Sequence, residues 1–324
     1  MIRDVMMDHL YSNNVIATEQ HGFVLKKSVV TNLLETVDQI SDGMDKGFHV
    51  LVVFLDFAKA FDRVCHVSLK AKLIACGFCA GVVDWVSDFL SGRRQRVVIG
   101  QHKADWVDVS SGVPQGSVLG PLLFVIYIND MPAVVNHLVK LFADDSKLIA
   151  TIRSNSDLAL LQHDLDALSE WSNKWRMLFN VDKCKVMEFS RSGKSHFAES
   201  ELLMGDPGSR SALAVVDTEK DLGVTFSSNL KFTNHIRTQA NRATSILGQL
   251  KRTFRYWTID TCRTLYCAFV RPHLEYAAVV WSPPSKKNMK LLETVQRRAT
   301  KLVPRIRNYT LFSPHIIYIY FKMF

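Results

Sequence analysis

The chain has 324 residues, with forty Lys/Arg against thirty-one Asp/Glu for a formal charge of +9, and 48% of its residues are hydrophobic. That composition buries a sizeable core, excludes disordered, collagen-like and low-complexity architectures, and allows two or three subdomains. Six cysteines are too few for a disulfide framework and fit a reducing compartment. The longest apolar run, 118–128, is shorter than the roughly 20 residues needed to span a bilayer. Asp4 and Asp8 stand where a signal peptide needs basic and then apolar residues, so neither secretion nor a membrane partner is expected.

In chain order, residues 50–55 (VLVVFL) form a short, β-branched, continuous apolar run that predicts a buried central strand. Helices are predicted over 69–75 and 82–90, separated by Gly77 and Gly81, then a strand over 96–99. Residues 117–134 read as a helix entered through a turn, with Pro121 tolerated in its first turn. The runs 139–143 and 146–150 flank Asp144-Asp145 and predict a β-hairpin. Leu158, Leu161, Leu165, Leu168, Trp171, Trp175 and Leu178 recur at spacings of three and four, one apolar stripe of a long helix whose tryptophans read as core rather than as a ligand cage. Strands are predicted over 186–189, 213–216 and 223–226, with loops at Gly193, Gly205, Pro207 and Gly208. Helices follow over 231–254, 258–270 and 286–302, the last preceded by the break Pro283-Pro284.

Charge is concentrated in this last region. Residues 229–307 hold sixteen Lys/Arg and only Asp260, Glu275 and Glu293 as acids, a net of +13 that leaves the rest of the chain at −4. Solvated helix faces carry both signs, whereas a basic block interleaved with Phe254, Tyr256 and Trp257 reads as a phosphate-backbone surface.

Carboxylates at strand ends carry the candidate chemistry. Asp56 closes the apolar run and opens Asp56-Phe57-Ala58-Lys59-Ala60-Phe61-Asp62, and Asp144-Asp145 sits on the hairpin turn. Hard oxygen donors converging from neighbouring strands suit Mg²⁺ and two-metal phosphoryl transfer. The plainer reading stands beside it: Asp-Asp is a common turn dipeptide, and an Asp after a strand often caps a helix. Between them, Ser110–Pro121 (SSGVPQGSVLGP) is either a tight loop whose backbone approaches a ligand, with Gln115 reaching a base or sugar edge, or an ordinary turn before a core helix. Cys76 and Cys79 form a lone CxxC without further ligands and read as plain thiols. No P-loop, GxSxG or HExxH occurs, against an NTPase, serine hydrolase or zincin.

The ordered set FLDFAKAFDRV, SGVPQGSVLGPLLFVIYINDMP, FADD and the Trp-rich helix ending NVDKCKV resembles the reverse transcriptases of non-LTR retrotransposons, the jockey-like, LINE-type elements above all. The likeness runs from about residue 13 to about residue 304 and includes KDLGVTFSSNLKFTNHI and LYCAFVRPHLEYAAVVWSP.

The resemblance implies an α+β, right-hand polymerase fold. Residues 1–228 would be a fingers remnant and a palm with an antiparallel sheet, 229–307 a basic helical thumb, and 308–324 an unassigned tail. It implies an RNA-directed DNA polymerase working with two Mg²⁺ ions, or Mn²⁺ in their place, on an RNA template, a DNA primer and deoxynucleoside triphosphates inside the cell, in nucleus or cytoplasm. Asp56, Asp144 and Asp145 would be catalytic metal ligands, with the backbone carbonyl of Phe57 beside them. Phe61 would underlie the incoming sugar and exclude the 2′-hydroxyl, and Gln115 and Gly116 would face template and nucleotide. Lys183 would assist the leaving pyrophosphate, Lys27 would hold the triphosphate, and Arg297, Arg298 and Lys301 would grip the nucleic acid.

The chain departs from the family where two basic finger positions become Val24 and Leu25, each removing a charge-assisted contact worth about 1.5–3 kcal/mol. It starts late, with no preceding finger segment or nuclease, and ends in a tail unlike the family, so it reads as a partial copy. A truncated, catalytically inactive nucleic-acid-binding remnant is therefore the alternative expectation.

Overall fold

The computed structural model describes residues 1–191, 201–206, 208–283 and 285–303; the tail set apart above, Gly193, Pro207, Pro284, Arg305 and Arg307 lie outside these. The chain divides into two compact units, Met1–Asp217 and a second beginning at Thr218.

The first unit is built on a five-stranded sheet in the order Ala214–Val215, Lys185–Phe189, His49–Leu55, Asp145–Ile152, Leu138–Phe142. Every pairing is antiparallel except that of Ala214–Val215, which runs parallel to Lys185–Phe189. His49–Leu55 is central because both its faces are apolar: Val50, Leu51, Val52 and Val53 are at most 2% exposed. Leu51, Val53 and Leu55 share a core with Leu161, Leu165 and Leu168 of the helix Asn155–Trp175. The opposite face takes the helix Val29–Asp45, where Gly43 lets the helix approach; a Cβ there would lie 2.4 Å from a Val50 methyl.

Several elements differ from the sequence-based expectation. The buried helix begins at Gly120 rather than 117 and ends at Ile128, followed by a 3₁₀ turn Met131–Val134. Ser117 causes the late start: its hydroxyl donates to the Pro114 carbonyl and accepts from the Gly120 N–H, which closes a turn. The apolar stripe loses its last member, because Arg176 in the left-handed region (φ +54°) stops the helix after Trp175 and sends Leu178 into an extended segment. The strand expected at 96–99 is an exposed hairpin arm of two short pairs, Arg94–Gln95 with Val107–Asp108 and Val98–Ile99 with His102–Lys103. Helices Ile2–Ser12 and Val29–Asp45 add to the elements expected from local pattern.

The second unit starts eleven residues ahead of the basic block. Its hairpin, Thr218–Asp221 with Val224–Ser227, is fastened to the helices that follow. His235 Nδ1 accepts the Thr225 N–H at 3.1 Å, and the Tyr276 hydroxyl donates to the Leu222 carbonyl at 2.8 Å. Thr233–Thr253, Ile259–Leu265, Arg271–Glu275 and Lys286–Thr300 pack around Ala243, Val270, Val295 and Ala299. The helix expected over 258–270 changes to a π turn over Tyr266–Val270, ahead of Pro272, which has no N–H with which to continue an α-helix. Among the described residues no helix is long and apolar enough to cross a membrane.

Candidate active site

The register of the central strand brings the distant acids to one end of the sheet. Its last pair with the returning strand is Leu55↔Ser146, so Asp56 lies one residue past the pairing and the turn carrying Asp144 adjoins it. The hairpin closes at Phe142↔Asp145, with Ala143 and Asp144 as its two turn residues. Asp145 is therefore the first residue of the returning strand. Asp144 keeps solvent contact, yet its carboxyl is held above the usual range: surrounding protein strips part of its hydration, and the charge of Asp56 adds repulsion.

Asp56 is fixed through its backbone. Its N–H reaches Cys184 Sγ at 3.4 Å and its carbonyl accepts the Asn180 N–H at 2.7 Å. Ala58 N–H donates to the Leu178 carbonyl, so Phe57 faces Phe179 across a bridge, their rings stacked with centroids 4.6 Å apart. That bridge uses the carbonyl of Asp56 and the N–H of Ala58 and leaves the Phe57 carbonyl out of it. Cys184 is buried, and burial pushes its thiol up to about 11, so it is a neutral hydrogen-bond partner and not a thiolate. Lys183, on the same turn, has Nζ 3.7 Å from Asp56 Oδ1.

The segment after Asp56 gathers Phe61, Gln115 and Gly116. Phe61, on the 3₁₀ turn Ala60–Asp62, stacks on Phe124 with centroids 4.4 Å apart. The glycine loop is sewn onto it: Val113 N–H donates to the Phe61 carbonyl, Gly112 N–H to Val64, and Gln115 Nε2 to Asp62 Oδ1 at 3.0 Å. Gly112 is required there, since at φ +82° a Cβ would lie 2.7 Å from Asp62 Cα. Gln115 and Gly116 remain exposed beside this contact.

Four expected cations have partners or surroundings of their own. Lys27 holds its ammonium on the Thr18 carbonyl, with desolvation lowering its pKa ahead of repulsion from Lys140. Arg298 and Lys301 belong to the second unit and line a cavity of about 640 Å³ with Lys251, Arg255, Phe254 and Trp257. Arg297 is turned to Glu293, 3.4 Å away.

The donor set fits a hard divalent cation in kind. Asp56 and Asp144 offer carboxylate oxygens whose mutual repulsion a cation relieves. The expected convergence of three carboxylates is not drawn together: among the described residues no group of three or more His, Cys, Asp or Glu forms a metal cluster. Asp145 stands in the strand ladder instead of on the turn.

Residues 1–236 match the family described as reverse transcriptase (RNA-dependent DNA polymerase). The chain belongs to the reverse transcriptase family. Among its relatives are RNA-directed DNA polymerases of mobile elements in Drosophila melanogaster. The protein of the mobile element jockey is 27% identical over 308 residues, covering 88% of this chain and 31% of the relative. The probable enzyme of transposon X-element is 26% identical over 321 residues, covering 93% and 34%. The chain thus spans about a third of the length of these curated relatives. The chain shares its right-hand polymerase fold with telomerases. Apo telomerase from Candida tropicalis superposes with a TM-score of 0.56 at 12% identity, covering 99% of this chain and 53% of that one. Telomerase from Candida albicans gives 0.51 at 9% identity, covering 96% and 59%.

Proposed function

We propose that this chain is the polymerase core of a non-LTR retrotransposon reverse transcriptase, extending a DNA primer on an RNA template with deoxynucleoside triphosphates inside the cell. The observation that carries the reading is the coupling of Asp56 to Asp144 across adjacent antiparallel strands eighty-eight residues apart in sequence. Six unpaired thiols accord with an intracellular site.

In this reading Asp56 and Asp144, with the Phe57 carbonyl, would hold Mg²⁺ or Mn²⁺, and Asp145 would stand beside them at the start of the returning strand. The metal supplies positive charge that eases ionisation of the primer 3′-hydroxyl and offsets charge on the transferring phosphoryl group. The hydroxyl oxygen forms a bond to the α-phosphorus, the bond to the bridging oxygen breaks, and pyrophosphate leaves. Lys183 is close enough to Asp56 to orient its carboxylate and to donate toward the leaving group. Phe61, held by Phe124, would be a rigid floor under the sugar, and Gln115, tied to the neighbouring Asp62, would face template and nucleotide with Gly116. Residues 1–228 act as palm with a fingers remnant, and the basic helices 229–307 act as thumb, Arg297, Arg298 and Lys301 meeting phosphates.

The second reading, a binding remnant without turnover, is favoured by Val24, Leu25 and the seat of Lys27 on Thr18, which leave little cationic grip for a triphosphate. Primer extension on an RNA template with Mg²⁺ decides between them. Asp144→Asn is expected to abolish extension while leaving the affinity for primed template unchanged, and undiminished extension by that variant would reject the metal site. An inert parent chain that Val24→Arg fails to activate, even with the family's finger segment supplied, would establish the remnant.

A further inference from the structure

Ala143, immediately before Asp144, sits at φ +55°, a conformation unfavourable for any residue with a Cβ. Something must hold it there, and the chain that does so comes from the N-terminal loop. Residues Glu19–Gly22 lie along the free edge of Leu138–Phe142: Leu141 N–H donates to the Glu19 carbonyl, and the Leu141 carbonyl accepts the His21 N–H and Asn32 Nδ2. Gln20 faces Leu141 in a parallel bridge, and its side chain is fully buried. Its Oε1 accepts two backbone N–H groups, Gly22 at 2.7 Å and Ala143 at 3.1 Å. Two converging donors determine the orientation of the amide, because a flipped carboxamide would set N–H against N–H. Gly22 completes the bracket: a Cβ there would lie 2.4 Å from Ala143 N.

We propose that Gln20 is a positioning residue of the candidate active site, its carboxamide oxygen clamping the Ala143 amide so that the strained turn presents Asp144 toward Asp56. The inference rests on the polymerase reading for its consequence, but not for the clamp itself. The motif His21-Gly22-Phe23 thereby gains a role distinct from nucleotide contact.

Gln20→Met keeps the volume and removes the acceptor, so it tests the clamp in the full chain. Amide hydrogen exchange of the peptide 138–150 should quicken on the order of tenfold, as expected for a lost buried hydrogen bond, with the rest of the unit unchanged. In primer extension, kcat should fall by about the same factor and the Mg²⁺ requirement rise, with the deoxynucleotide KM and primed-template affinity constant. Adding Ala143→Gly, which removes the steric cost of positive φ, should restore much of both. Unchanged exchange at 138–150 overturns the clamp. So does loss of protection spread evenly over the unit, since that marks Gln20 as ordinary core; a loss confined to the nucleotide KM would make it a nucleotide contact instead. If the parent chain extends no primer, the exchange arm still decides the clamp, while the Val24→Arg test decides the polymerase reading separately.

Discussion

Lys72 places its ammonium 3.8 Å from the ring centroid of Trp175 and within about 5 Å of Tyr127 and Trp171, and it bonds Asp130 Oδ1 at 2.6 Å. The tryptophans read as core do close a cage, around the protein's own lysine. Desolvation lowers the pKa of this buried ammonium, and Asp130 opposes the shift. Asp130, half open to water, also accepts Trp171 Nε1, so one carboxylate ties the helix His66–Ala75 to the Trp-rich helix. Breaking one side of such a pair costs more than replacing the charge. Asp130→Ala should lose about 3 kcal/mol, at the low end for a buried pair, whereas Lys72→Met should stay within about 1 kcal/mol of the parent. Urea unfolding of both variants checks the order; equal losses would mean that the charge pairing contributes nothing.

His235 shows the same logic for a whole element. Its buried ring accepts the Thr225 N–H through Nδ1, which requires the neutral form, and burial followed by repulsion from Lys220 lowers its pKa to about 4. His21 in the first unit is likewise lowered to about 4, mainly by burial, with Glu35 opposing. A depressed histidine pKa lets the unfolded chain take up a proton that the folded chain refuses. Stability from each is complete above pH 6.5, the ordinary value, and is lost as pH falls from there toward 4, by up to roughly 3 kcal/mol. Protonation of His235 also releases Thr225, so the hairpin Thr218–Ser227 should lose exchange protection at pH 5 before the helix Thr233–Thr253 does. His235→Phe should remove the acid sensitivity of that hairpin; a hairpin equally protected at pH 5 and 7 in the parent would refute the mechanism.

For the molecule as a whole, the net +13 between 229 and 307 predicts a steep fall of primed-template affinity with salt. The structure sorts the three cations singled out from sequence. Arg298 and Lys301 share a cavity wall with Lys251 and Arg255, on which no acid stands among the described residues, while Arg297 is occupied by Glu293. Arg298→Gln with Lys301→Gln should lower the slope of log affinity against log salt by roughly two, and Arg297→Gln by distinctly less. Equal effects from all three would place the nucleic acid on another face of Lys286–Thr300.

Legibility followed the range of the forces involved. The run 50–55 reads as a buried strand, since six consecutive apolar residues, three of them β-branched, satisfy both faces of a sheet. Asp144-Asp145 between two short, mostly apolar runs marks the hairpin, and the near-absence of acids after 229 marks the basic block. These are local signals. Helix Val29–Asp45 escaped because its apolar residues are interleaved with Asn32, Thr36 and Gly43, whose burial depends on a sheet that local pattern does not contain. The strand Thr218–Asp221 reads as polar throughout and exists because Val224–Ser227 pairs with it. That Asp145–Ile152 returns to lie beside His49–Leu55, in a register that ends at Leu55↔Ser146 and so brings the turn carrying Asp144 next to Asp56, is likewise a tertiary outcome: a one-residue slip would keep every local preference and send each side chain to the opposite face of the sheet. The sequence alone therefore determined which residues carry the charge and the strands. Only packing of distant faces decided which carboxylates meet, and that a glutamine more than a hundred residues away holds their turn.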